Sequence, residues 1–153
     1  MVVLAIYFFF QLALPLRHHV IEDEVIWTEE GHRLSWRMML RTRFGRTSFR
    51  VVDKATNNVT AIKMKDHLSQ KQMRLVSTHP DAIWQFSQYL KKKFESDNEE
   101  VEVYVNCHVK INKGKFEPLI DPQVDLAAVK WNAFKHSDWI LPSKLEQSKA
   151  ANP

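Results

Sequence analysis

Residues 101–111 read VEVYVNCHVKI, and every second one is apolar. Val101, Val103, Val105, Cys107, Val109 and Ile111 fall on one side, with Glu102, Tyr104, Asn106, His108 and Lys110 on the other. A period of two marks a β-strand with one dry and one wet face. A dry face has to be covered, so this stretch commits the chain to a sheet backed by another layer. A cover is legible just upstream. Ile83, Phe86, Leu90 and Phe94 recur at spacings of three and four, the stripe of an amphipathic helix facing a core. Lys91, Lys92 and Lys93 fall in its last turns, where cations favour a helix C-terminus. At 153 residues, 44% hydrophobic and 11% aromatic, the chain suits one domain with a real core.

The other elements are read from weaker signals. Asn112-Lys113-Gly114-Lys115 is a turn leading to a hairpin partner at 116–120, and Asp121 and Asp125 cap the turns that end the pair. Residues 35–64 read as a three-stranded meander: a strand at 35–43, a short link at Phe44-Gly45-Arg46, a strand at 47–53, turn residues at 54–58, and a strand at 59–64. A helix begins at Leu68 and ends near Ser77. Thr78-His79-Pro80-Asp81 resembles a capping box with Pro in the first turn. Trp131, Phe134 and Trp139 are expected to seal one end of the domain.

Residues 2–16 are apolar except for Gln11, with Pro15 near the end. A full membrane span needs about 20 such residues. The charges, Arg17 with His18 and His19, follow the run rather than precede it, which is the wrong order for a secretory signal. Three readings stay open: the end of a longer transmembrane helix, a short anchor, or a buried helix of a soluble fold. Consecutive aromatics at Tyr7, Phe8, Phe9 and Phe10, with no polar face, weigh against the last. The end of a transmembrane helix is the expectation, with Pro15 marking its exit.

Common sources of chemistry are missing from the pattern. The histidines at 18, 19, 32, 67, 79, 108 and 136 have no metal-ligand spacing, and the single Cys107 permits no intrachain disulfide. No phosphate-binding loop or nucleophile elbow is present, and three glycines leave little for a backbone cradle. Net charge is +4, but 18 acids are interspersed among 22 basic residues, so no nucleic-acid partner is expected. Glu29 and Glu30 fit either acid–base work or a solvated turn. The unusual feature is a strand face carrying Arg37, Arg41 and Arg43. These are either solvated, paired with acids on a neighbouring strand, or a wall that binds a carboxylate, whose geometry guanidinium matches in a bidentate pair.

Four blocks in fixed order carry a family likeness: LPLRHHV at 14–20, WTEEGHRLSWRMMLRTR at 27–43, IDPQVDL at 120–126 and DWILP at 138–142. In these the chain resembles the vitamin K-dependent gamma-carboxylases, and especially their bacterial members with the horizontally transferred transmembrane (HTTM) region. The resemblance implies a multi-span membrane protein with a β-rich domain on the lumenal or extracytoplasmic side. It implies a reaction in which vitamin K hydroquinone is oxidised by oxygen, a γ-proton leaves a peptide glutamate, and carbon dioxide adds to the carbanion. By residue match it places His18, Trp36, Arg41 and Arg43 against the substrate glutamate. At the position of Arg41 the animal members carry His. Arg can hold a carboxylate there but cannot shuttle a proton near neutral pH, so binding alone carries over.

The expected fold class is therefore α+β. The end of a transmembrane helix at 1–16 precedes a β-rich extramembrane carboxylase C-terminal domain with two helices at 17–142, and a polar tail follows at 143–153. The resemblance places the family's catalytic lysine, its hydroquinone pocket and its other membrane helices upstream of Met1. No catalytic residue, no metal and no cofactor is expected of this chain by itself, and by itself it is expected to lack carboxylase activity. Its expected partners are the membrane, a Glu-containing peptide or protein substrate and the upstream transmembrane part of the same protein. The competing expectation is a non-catalytic membrane-anchored domain that binds acidic peptides or supports the membrane bundle.

Overall fold

A computed structural model of the chain describes residues 1–16, 21, 25–30, 35, 41–95 and 100–143. The elements are α1 (Val2–Leu16), α2 (Val25–Thr28), β1 (Arg43–Asp53), β2 (Val59–Ile62), a 3-10 turn (Met64–Asp66), α3 (Gln70–Val76), α4 (Pro80–Phe94), β3 (Val101–Ile111) and β4 (Glu117–Pro118). The strands form one antiparallel sheet in the order β2-β1-β3-β4. The architecture is α+β.

The alternation in β3 sets the layers. Val101, Val103, Val105, Cys107 and Val109 are all buried, and β1 lies opposite in full register, from Arg43 beside Ile111 to Asp53 beside Val101. Phe49 and Val51 share the dry face, and α4 covers it with Ile83, Phe86 and Leu90, with Phe94 packed at the margin. Phe49 meets Phe86 edge to face at 4.9 Å between ring centroids, the arrangement that aromatic quadrupoles favour. Leu119, Ile120, Leu126, Trp139 and Ile140 close the same core from the C-terminal segment, where Ile120 bridges Ile140. Asp125 accepts from the amides of Val103 and Ala127, and Asp121 from Gln123, so both acids cap turns as the sequence implies. Trp131 packs between Trp84 and Trp139, but Phe134 is 65% exposed and seals nothing.

Several local expectations are corrected. Phe44-Gly45-Arg46 is no hairpin link: β1 runs straight through it, so there is no strand break between 43 and 47. Gly45 answers to a close approach instead of a turn, since a Cβ there would lie 1.5 Å from the Ser77 carbonyl oxygen. The strand expected at 35–43 falls largely on residues 36–40, outside the described set. Arg41 and Thr42 are outside any strand, and Ser35 is a bend. β2 stops at Ile62 and a 3-10 turn takes over at Met64. A further correction concerns capping. The capping box sits at Ser69 and Gln72, ahead of α3, and His79 precedes α4 with no side-chain cap. The Thr78 hydroxyl is engaged in closing α3, donating to the Arg74 carbonyl at 3.0 Å and lying 2.7 Å from His79 Nδ1.

Helix α1 projects its apolar side chains outward. Val2, Val3, Leu4, Ile6, Tyr7, Phe8, Phe9, Phe10 and Leu12 are all more than half exposed. Its 15 residues reach roughly 22 Å at the α-helical rise. Among the described residues no helix is long and apolar enough to cross a membrane.

Candidate carboxylate-binding site

The site forms where α2 ends against the start of β1. Trp27 anchors α2 through an indole N–H bond of 2.6 Å to the Leu141 carbonyl, and its ring is buried. The helix stops at Thr28, and Glu29 takes a left-handed backbone with φ 61°. This region suits glycine or asparagine after a helix and strains glutamate. The backbone twist turns the Glu29 carboxylate inward. Its Oε1 accepts from Arg41 Nη2 at 2.5 Å and lies 3.4 Å from Arg43 Nη1. All three side chains are buried, with 5–6% of their surface exposed.

Arg43 is fixed from three directions. Nη1 donates to the carbonyls of Ile26 and Trp27 at 2.9 and 2.8 Å, and Nη2 to that of Thr78 at 2.9 Å. One guanidinium thus ties α2, β1 and the α3–α4 turn together. Burial pulls its pKa down to about 10, with Glu29 opposing that shift and Arg41 adding to it, so it stays cationic at neutral pH. Arg41 is less committed. Its Nε is buried with no hydrogen-bond partner among the described residues, as is that of Arg43. The neighbouring His79 has its pKa lowered, chiefly by burial, and is neutral at pH 7.

Glu30 continues the same corner. Its Oε2 lies 2.6 Å from His136 Nδ1, its Oε1 accepts from the Ser137 amide at 3.0 Å, and its side chain keeps 2% of its surface. Burial raises the Glu30 pKa, against the lowering effect of His136. This contact pins the 131–140 segment onto α2.

Of the four residues assigned to the substrate glutamate, Arg41 and Arg43 come together on one carboxylate. His18 and Trp36 lie outside the described residues, as does Arg37 of the arginine face. Among the described residues, Arg41 and Arg43 pair with Glu29, at a helix end, and not with an acid on a neighbouring strand. A solvated turn at Glu29 and Glu30 is also corrected, since both side chains are buried. Sequence reasoning passed over His136 because its partner is 106 positions away, and no local spacing can reveal such a pair. Cys107 is no nucleophile: burial pushes its thiol up to about 11, and it packs against Thr47 Oγ1 at 3.0 Å. Among the described residues no cluster of His, Cys, Asp and Glu has the form of a metal site.

A family model, that of the vitamin K-dependent gamma-carboxylase lumenal domain, matches residues 1–146. No solved structure matches the chain.

Proposed function

The chain belongs to the vitamin K-dependent gamma-carboxylase family, as its lumenal domain, and from that premise we propose that Arg41 and Arg43 form one wall of a site for a peptide glutamate. The observation that supports this is the convergence of both guanidiniums, buried, on a single carboxylate. Such a pair is built to take carboxylates, because charge-assisted bonds strengthen where water is excluded. Arg43, held by three backbone carbonyls, is the rigid part, and Arg41, with a spare buried Nε–H, is the adaptable part.

A guanidinium wall also has a use in the chemistry. Loss of a γ-proton spreads negative charge onto the adjoining carboxylate oxygens, and preorganised donors at those oxygens lower the cost of that charge. The arginines bind and orient; they do not take the proton. Vitamin K hydroquinone oxidation needs a side-chain base that deprotonates the hydroquinone, beside an apolar ring pocket. The cavities beside α3, one of about 370 Å³ under Phe86 and Tyr89 and one of about 670 Å³ beside Arg43 and Met73, have no lysine in their walls. The residues lining these two cavities do not fit that role. The outward apolar face of α1 suits the end of a membrane helix, which would seat the domain on the lumenal or extracytoplasmic surface.

One observation favours a second reading. Arg43 is heavily engaged with the domain's own backbone, as a purely structural arginine would be. In that case the domain is non-catalytic and serves to support the membrane bundle. Titration of a blocked glutamyl peptide into the full chain in detergent separates the two. The glutamate site predicts binding that weakens at least tenfold in Arg41→Ala, while a structural domain predicts no glutamate-dependent binding in either protein.

A further inference from the structure

Among the described residues, the sheet has a second face that no helix covers. Side chains alternate along a strand, so Phe44, Arg46, Ser48 and Arg50 of β1 turn away from the side of Phe49 and Val51, and all four are exposed. None of the outward residues of β3 is buried either. Three cations stand on this face. Arg46 lies over the Phe116 ring at 4.6 Å, Lys110 over the same ring at 5.3 Å and over Phe44 at 5.2 Å, and Arg50 over Tyr104 at 5.1 Å. The rings hold the cations in place, and a guanidinium held over a ring keeps its N–H fork for a carboxylate. Among the described residues none of the three forms a salt bridge. Glu102 is the one acid among the outward residues of β1 and β3, and it accepts from the Tyr104 hydroxyl at 2.8 Å.

The face is also hollowed. A cavity of about 240 Å³ opens on it, with Ser48, Arg50, Tyr104, Asn106 and Pro122 in its walls. Arg50 Nη2 donates to the Pro122 carbonyl at 3.4 Å, a long bond that leaves most of the fork unused. Arg46 and Arg50 are four residues apart on one strand, roughly 13 Å at the strand rise. An extended chain has the same rise and turns every second side chain to the same side, so its side chains four residues apart match the two arginines in distance and direction. We propose that this face binds an acidic, extended segment of a partner polypeptide, with one carboxylate in the hollow at Arg50 and another, four residues along, at Arg46 and Lys110. Charge complementarity selects that occupant. A second copy of this chain would set the cations against themselves, and a bilayer surface is too flat to enter the hollow. The proposal does not rest on the glutamate site, whose Arg43 lies on the other face of β1.

The test uses the full chain in detergent, carrying Arg41→Ala so that the glutamate site proposed above is disabled. The probe is a blocked, dye-labelled peptide with two aspartates four residues apart in a Ser-Thr spacer, read by fluorescence anisotropy. This peptide is expected to bind and its asparaginyl counterpart is not. Adding Arg50→Gln, or Arg46→Gln together with Lys110→Gln, should weaken binding about tenfold or more, as loss of a charge-assisted pair does. Moving the aspartates to two residues apart should weaken it several-fold. All three cations reach the surface, so circular dichroism should show these variants folded, and Arg50→Lys serves where Arg50→Gln is not. Binding that survives the added substitutions, or that is absent from the start, overturns the proposal. So does equal binding of phosphatidylglycerol vesicles or oligothymidylate that the same substitutions abolish, which would make this a lipid or nucleic-acid surface. Self-association of the chain abolished by them would assign the face to a second copy and overturn it too.

Discussion

Strand β1 has two ends that are held in place by different physics. At Phe49 and Val51 its inner face meets Phe86, Val103 and Val105, and the contacts are apolar and undirected. At Arg43, on the same face, it meets three backbone carbonyls and a carboxylate, each at a defined distance. The apolar end asks for volume and burial, and residues of similar size can serve. The charged end asks for particular atoms in particular places, because a buried ion that loses a partner is left uncompensated. The charged end is where a ligand can be chosen, and the apolar end is what keeps it rigid.

The sharpest way to break this contrast is Arg43→Ala. It removes the ties among α2, β1 and the α3–α4 turn, leaves three backbone carbonyls without their guanidinium and takes one of two arginines from buried Glu29, and should cost about 3–5 kcal/mol in chemical denaturation. Arg43→Lys should recover little of that, since an ammonium cannot reproduce the planar fork. A cost under about 1 kcal/mol would show that the corner is not held as described. Gly45→Ala should come next, at about 1–3 kcal/mol, because the added methyl meets the Ser77 carbonyl and the turn must move. Phe86→Leu, in the apolar end, should cost less than about 1.5 kcal/mol by the same assay. A larger loss there would mean that the Phe49–Phe86 geometry matters beyond its area.

The smallest effect is a pH dependence. His79 has its folded pKa lowered below the ordinary 6.5, mainly by burial. The unfolded state then binds the proton more readily, so this histidine costs stability as pH falls below about 6.5. Glu30 has a raised pKa, again mainly from burial. Its contribution runs the other way and declines as pH rises through that folded value. Comparing melting temperatures of wild type and His79→Asn between pH 7 and 5 isolates the first effect. The wild type should lose more stability on acidification, and parallel curves would remove His79 from the account.

The two ends also differ in how much of them the sequence exposes. The apolar end is periodic, so β3, its dry face and the α4 stripe are legible residue by residue, from Val103 to Leu90. The charged end is aperiodic. Arg41 and Arg43 are visible as a pair, but their carboxylate comes from Glu29, whose inward aim depends on a backbone angle that no spacing encodes. Gly45 misleads for a related reason. It reads as turn chemistry, while its real constraint is a carbonyl from Ser77, 32 positions on in the chain. Thr78 likewise reads as a cap for α4 although its hydroxyl serves α3. Local pattern reports elements and their buried faces; contacts between distant segments decide the site.

The central claim is that the Arg41 guanidinium takes the carboxylate of a peptide glutamate. A double-mutant cycle tests it most directly, pairing wild type and Arg41→Ala with a glutamyl peptide and its glutaminyl counterpart. We predict a coupling energy of at least about 1.5 kcal/mol between Arg41 and the peptide carboxylate, as expected for a charge-assisted pair out of water. A coupling of zero, with both proteins binding both peptides alike, would contradict it.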